Sequence, residues 1–355
     1  MINKDIKIPL YIQIYNDLKE KILNNQYKSE EFLPSERELS ELYGVERATT
    51  RRALELLVKD KLLQKIPGVG TRVSSFSSTE NSNMEFNSVA FILPGDTTDK
   101  ITQPFVAEVF YYLEKECKKA NYSLFYTNLK SDEDLPDFVL KRNVMGIVWI
   151  SRVEDAFILK SKKLGIPSVL ISNHVPGFTS ILMDNIGGSC EAVEYLIGLG
   201  HRNIAFINGP SDYLNAKERL EGYKKALAKY GIDLDENSIM EADWTFEGGY
   251  AAMKKILENS RKNTAVFASN DMMALGAMKA IQEAGLVVPD DISVVGFDNI
   301  EQCAYSNPSL TTVGIDTSLV ARHTMKCLLD LVEEPDAPAI KVIIPAKLLI
   351  RDSTR

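Results

Sequence analysis

Cysteine and histidine are scarce in this chain, and the few present stand apart. Cys117, Cys190, Cys303 and Cys327 are separated by long intervals and form no Cys-x-x-Cys pair. Such spacing argues against a disulfide framework or a thiolate zinc site and predicts reduced, mostly buried thiols. His174, His201 and His323 are equally isolated, so neither a metal site nor a cofactor is expected. A Gly-x-Ser-x-Gly elbow and a phosphate-cradling glycine loop are also missing, and with them the signatures of common hydrolases and nucleotide binders. An enzyme is therefore not expected. No run approaches the roughly 18 consecutive apolar residues that a membrane span needs. The opening residues, MINKDIKIPLYIQIYNDLKEK, carry scattered charges and no apolar secretion core, so the cytoplasm is the expected compartment.

What is present is the composition of an ordinary globular protein, 45% hydrophobic and 25% charged. A length of 355 residues leaves room for two or three domains and a large core. The net charge of −8 is unevenly spread. Residues 1–74 carry 13 Lys+Arg against 11 Asp+Glu, and the remainder 28 against 38. An acidic body behind a slightly basic front fits a chain whose leading segment meets a polyanion.

That front holds the most specific local pattern, residues 33–73. Apolar positions from Ile8 to Leu23 follow helical spacing around Pro9. Pro34 and Ser35 start a second helix with Glu38 three residues on, a capping-box arrangement, and Leu39 and Leu42 are its expected buried face. Gly44 ends it. A third helix is expected to bury Ala48, Ala53, Leu54, Leu57 and Val58 while presenting Arg47, Thr49, Arg51 and Arg52. Ile66 to Thr71 then turn a two-stranded wing. A helix with guanidiniums at its leading end and an apolar back suits a DNA major groove.

The Ser/Asn-rich stretch 75–87 reads as a linker. From residue 88 onward, apolar runs (SVAFIL, SLFYTNL, GIVWI, SVLIS, NIAFING, AVFASN, ISVVGFD) alternate with amphipathic helices at 105–120, 186–199, 214–230, 247–259 and 272–285. Alternation of this kind demands parallel sheets. Seven strands and a returning C-terminal segment exceed a minimal sheet, so two α/β subdomains around a cleft are expected, with ligands at the carboxyl ends of the strands.

Through PLYIQIYNDLKEKI, LPSERELSELYGV and GVGTRV, residues 9–73 resemble the GntR-family winged helix. Through LGHRNIAFINGP, ERLEGYKKAL, ASNDMMALGAMKAIQEAG, VPDDISVVGFDN and PSLTTV, residues 88–353 resemble the LacI/GalR effector domain, a periplasmic-binding-protein-like fold. The combination is similar to the arabinose-repressor type of regulator found in bacilli. The resemblance implies an α+β winged helix-turn-helix over 1–74, then an α/β effector domain over 88–355. Its first subdomain would span about 88–183 and 314–343, its second about 184–313 and 344–355. Where the family commonly places a serine before the third helix this chain has Glu46, whose charge suits a helix N-terminus or accepts from a cytosine amino group.

Carried over position by position, the resemblance implies DNA contacts from Arg37, Arg47, Thr49 and Arg51, with Gly68 at the wing tip. Arg47 can reach a guanine edge, while Arg37 and Arg51 suit phosphates. Arg52 either shares that role or pairs with Glu55 or Glu46. The implied effector pocket takes Thr97, Thr98, Phe105, Ser172, Asn173, Arg219, Trp244, Asn270 and Asp298. Charged and amide groups beside an aromatic face describe a carbohydrate site. Trp244 has a second reading as a partly buried core residue, Asn270 one as the cap of the following helix, and Asp271 and Asp184 read as structural. The expected function is a repressor that binds a palindromic double-stranded DNA operator as a homodimer and is released by a small sugar. The alternative is a regulator, by corepression or activation, that answers to a nucleobase, nucleoside or sugar phosphate.

Overall fold

The computed structural model describes residues 9–23, 26–28, 30–60, 62–66, 69–74, 88–95, 101–140, 144–258 and 263–355. The chain divides into two compact units, Met1–Glu85 and Phe86–Arg355. The proposed linker 75–87, Gly68, Thr97 and Thr98 lie outside the described residues.

In the first unit, helix α1 (Leu10–Leu23) begins as the carbonyl of Pro9 accepts from Gln13 at 3.2 Å. Its inner face is Ile14, Leu18 and Ile22, one residue per turn. Helix α2 (Glu36–Tyr43) opens on the capping box of Ser35 and Glu38, and Gly44 closes it in the left-handed conformation, φ 61°. Helix α3 (Arg47–Lys59) follows, and strands β1 (Leu63–Ile66) and β2 (Gly70–Val73) pair antiparallel behind it.

Two expectations fail here. Leu42 is 64% exposed. The short α2 turns Leu39 and Ser40 inward instead, and Tyr43 packs against the core. Ala48 is also exposed, and Thr50 takes a buried place with Ala53, Leu54 and Leu57. At about 100° per residue, Ala48 lies roughly 200° around the helix from Thr50, on the outer face.

The second unit holds two six-stranded sheets. The first, in order β13-β7-β6-β5-β3-β4, is parallel throughout. It comprises β3 (Ser88–Pro94), β4 (Ser123–Leu129), β5 (Gly146–Ile150), β6 (Ser168–Ile171), β7 (Thr179–Met183) and β13 (Lys341–Ile344). The second runs β14-β12-β11-β10-β8-β9, comprising β8 (Ile204–Asn208), β9 (Ile239–Glu241), β10 (Ala265–Ala268), β11 (Ser293–Asp298), β12 (Thr311–Ile315) and β14 (Ala346–Leu349). Only the β12–β14 pair in it is antiparallel.

Between strands lie α4 (Pro104–Lys119), α5 (Asp137–Leu140), α6 (Asp155–Lys163), α7 (Asn185–Gly198), α8 (Leu214–Lys229), α9 (Phe246–Glu258), α10 (Asp271–Glu283), α11 (Gln302–Tyr305) and α12 (Thr317–Glu333). The inner strands bury both faces. Val89 and Phe91 join one apolar cluster, Ala90 and Ile92 another, which is why these runs lack polar alternation. Strands β7, β9 and β12 and helices α5, α6, α11 and α12 are additional to the sequence reading.

The chain crosses between the sheets after β7, between β12 and α12, and between β13 and β14. The first and third crossings are tied by Asp184 N donating to Ile344 O at 2.9 Å. Among the described residues, no helix is long and apolar enough to cross a membrane.

Leu57 is fully buried in the small core of the first unit. Leu57→Ala is expected to lower that unit's stability by about 2–5 kcal/mol and leave the second unit's transition in place. Calorimetry of the full chain checks this.

Candidate DNA-contact face and effector cleft

In the first unit the arginines of α3 face water while the helix's other side packs. Arg47 and Arg51 stand one turn apart, and both are exposed. Arg47 forms no hydrogen bond or ion pair with the described residues. Arg51 directs Nε (3.1 Å) and Nη2 (2.9 Å) at Glu36, whose other oxygen accepts from Lys65 Nζ of the wing at 3.3 Å. These partners hold the Glu36 carboxyl below its ordinary value, Arg51 foremost. Arg37 pairs with Glu41 at 3.0 Å. Arg52 pairs with neither Glu55 nor Glu46 but lies over the Tyr11 ring, 4.2 Å from its centroid. Thr49 is half-buried. Glu46 caps α3 without a side-chain hydrogen bond, as befits a side chain that is a poor acceptor cap.

In the second unit a cavity of about 50 Å³ lies between the carboxyl ends of the two sheets. Phe105, Ser172, Arg219, Trp244, Asn270 and Asp298 all line it, six residues the sequence had singled out. Asn173 does not; its Oδ1 accepts from His174 N at 2.8 Å. The sequence reading missed Gln103, Val106, Ile150, Ser151, Tyr213 and Asn215. Ser151 follows β5 as Ser172 follows β6, so the strand-end rule that found one could have found the other. A larger hollow of about 390 Å³, lined by Lys162, Ser168, Phe178, Thr179 and Leu331, lies at the opposite strand ends and has fewer converging polar groups.

Arg219 is the centre of the cavity wall. It is 3% exposed, and all its donor-bearing nitrogens are used. Nε donates to Asn185 Oδ1 at 2.9 Å, Nη1 to the Ser269 carbonyl and Nη2 to Asp298 Oδ1 at 3.1 Å. Its guanidinium also lies over the Phe297 ring, 3.7 Å from the centroid. Burial pushes the Asp298 carboxyl up to about 6 while Arg219 pulls it down. The adjoining guanidinium favours the charged carboxylate, so that the two charges of the pair offset one another.

Backbone strain concentrates here. Ser151 (φ 66°), Ser172 (φ 58°), Trp244 (φ 68°) and Asp298 (φ 110°) are all left-handed non-glycine residues of the lining. Such positions cost on the order of 1–3 kcal/mol each and persist where surroundings dictate them. Trp244 is 7% exposed, and its buried indole Nε1 has no acceptor among the described residues. Its ring lies against Gly209, where a Cβ would come within 2.1 Å of it. Tyr213 meets it edge-on at 5.9 Å.

Asn270 combines two roles. Its Oδ1 caps α10 by accepting from Met273 N at 2.9 Å, and its Nδ2 donates to the Trp244 carbonyl at 3.0 Å. Asp184 caps α7 by accepting from Gly187 N at 2.9 Å. Behind the wall, Asp271 accepts from Ile300 N and the Thr312 hydroxyl. Burial first, then the nearby Asp298, pushes its carboxyl up to about 7.

Residues 10–73 match the bacterial regulatory proteins of the gntR family, and residues 193–354 match the periplasmic binding protein-like domain. The chain is 30% identical over 337 residues to the HTH-type transcriptional repressor ExuR of Bacillus subtilis, covering 90% of this chain and 98% of that protein. A LacI transcriptional regulator of Bacillus cereus subsp. cytotoxis superposes with TM-score 0.71 at 30% identity, over 76% of this chain and 98% of the other. A LacI-family regulator of Enterococcus faecium with bound ribose superposes with TM-score 0.67 at 28% identity, over 75% and 98%.

Asp271 binds its proton more tightly in the folded chain than in the unfolded one, where a value near 3.8 applies. Its contribution to stability is therefore complete at acid pH and is lost as pH rises through about 7. The thermal midpoint of the second unit is expected to fall between pH 5 and pH 8, and Asp271→Asn to flatten that fall. A variant whose midpoint drops as steeply as the parent's would contradict the assignment.

Proposed function

The chain belongs to the transcriptional regulators that join a GntR-type helix-turn-helix domain to a LacI-type, periplasmic-binding-protein-like body, and on that premise we propose that it is a repressor whose homodimer binds a palindromic operator and is released by an uncharged sugar. The observation that carries the effector reading is the closed charge balance of Arg219. With its charge matched by Asp298 and each of its nitrogens already donating, to Asn185, Ser269 and Asp298, the wall offers a phosphate or carboxylate no unmatched cation. Amides and hydroxyls of Gln103, Ser151, Ser172, Asn215 and Asn270 beside Phe105, Tyr213 and Trp244 suit alternating hydroxyl and C–H surfaces. Trp244 Nε1, without an acceptor among the described residues, is a donor for a ligand oxygen. Ribose in the Enterococcus faecium regulator supports the same class. None of the described lining residues is a histidine, lysine or cysteine, which favours recognition over turnover.

On the DNA side, α3 enters the major groove with Arg47 toward a guanine edge. Arg51, Arg37 and Lys65 meet phosphates, while Arg52 is held on Tyr11 and contributes mainly by its charge. Two heads related by a two-fold axis read two half-sites. Ligand in the cleft acts only through its different affinity for the DNA-competent and released states, typically about 1–3 kcal/mol of coupling.

Thermal shift against neutral pentoses, hexoses, disaccharides, sugar phosphates and nucleobases tests the effector. A neutral sugar at 100 times its Kd is expected to stabilise the chain by about 2.7 kcal/mol, and Asp298→Asn to abolish the effect. A response confined to a sugar phosphate or a nucleobase would refute the neutral-sugar reading. Gel-shift titration on duplexes selected from a random library tests the head. Arg47→Ala is expected to lose about 1–3 kcal/mol of discrimination while retaining weak, salt-sensitive binding.

A further inference from the structure

A cavity of about 50 Å³ is small beside the roughly 300–1,000 Å³ usual for small-molecule sites. The two lobes therefore stand drawn together, and a sugar needs them to part. Residues of both lobes share an apolar cluster, and one ion pair also spans the cleft. Arg152 follows β5 of the first sheet, and Asp212 follows β8 of the second. Arg152 Nη1 lies 2.9 Å from Asp212 Oδ2, with both side chains about half exposed, 52% and 48%. Among the described residues this is the only ion pair joining the two lobes. Its neighbours in sequence, Ser151 and Tyr213, both line the cavity. The pair thus sits on the solvent side of the lining, away from the crossings that Asp184 and Ile344 tie together.

We propose that Arg152 and Asp212 form a clasp at the cleft mouth, which holds the ligand-free lobes together and must part to admit the effector. The inference rests on the cleft being the effector site and adds how access to it is controlled. Ser151 at φ 66° sets the turn that carries Arg152 out of β5. Because the pair is half exposed, its effect is modest: a shift of roughly 1.5- to 5-fold in the closed-to-open ratio, the size typical of exposed ion pairs. For the same reason salt weakens it, since screening acts over about 10 Å at 0.1 M and about 3 Å at 1 M.

Hydrogen–deuterium exchange of the full chain without ligand tests the clasp, and reads lobe opening whether or not any sugar binds. Failure here is thereby distinguishable from failure of the effector assay. Arg152→Ala and Asp212→Ala are each expected to speed exchange about 1.5- to 5-fold in segments 149–153 and 208–215, leaving β10 unchanged. The charge-reversed double variant, Arg152→Asp with Asp212→Arg, should restore the parent's protection. Raising NaCl from 0.05 to 1 M should speed exchange in the parent but not in Arg152→Ala. Should a variant loosen β10 as well, the salt response of the parent decides alone. Single variants that exchange like the parent, a reversal without recovery, or a salt-insensitive parent would each overturn the proposal.

Discussion

Removing a guanidinium from water costs several kcal/mol unless its charge and its donors are met inside the protein, and the second unit is organised around meeting that cost at Arg219. Three separate pieces of chain converge on it: Asn185 at the start of α7, Ser269 after β10, and Phe297 with Asp298 at the end of β11. None of these is close to Arg219 in sequence. Asn185 also donates to Asn215 (3.2 Å) and Glu218 (2.7 Å), so the first residue after a lobe crossing is bonded both to the cavity wall and to its supporting layer. A ligand that leans on Asn215 or Arg219 therefore pushes on a network that reaches the crossing itself.

The same wall explains where strain is tolerated. A left-handed Asp298 or Trp244 would be abandoned in an isolated strand, because the alternative conformations are cheaper. Here Asp298 is held by Arg219, and Trp244 is held by Asn270 through its carbonyl and by the bare face of Gly209. Strain and polar satisfaction sustain each other, which is the arrangement expected of a preorganised recognition site.

The first unit solves a different problem with a much smaller core. Its apolar cluster draws on α1, α2, α3 and the wing, so α3 can display cations outward only because Thr50, Ala53, Leu54 and Leu57 pack behind them. Glu36, the first residue of α2, gathers Arg51 and Lys65 and keeps helix and wing charges from repelling one another. Exposed pairs of this kind contribute little stability. Their role is to fix where positive charge is presented.

Patterns that depend on neighbours in sequence were legible from the sequence alone. The capping box at Ser35 and Glu38, the Gly44 turn and the continuous apolar runs of buried parallel strands each follow from local geometry, and motif strings identified both units. The family resemblance, with the strand-end rule beside it, also placed Ser172, Asn270 and Asp298 at strand ends and Arg219 on a helix near one cleft. It did not reach Gln103, Tyr213 or Asn215, which lie on loops and a helix start whose local sequence carries no distinguishing pattern. Leu42 and Ala48 went astray because hydrophobicity says that a residue can be buried, while only neighbouring elements decide which side of a short helix is covered. That each nitrogen of Arg219 has a partner, that Trp244 Nε1 has none among the described residues, and that Arg152 reaches Asp212 across the cleft are results of chain segments meeting over long sequence separations. Those meetings are made by packing, and no local propensity encodes them.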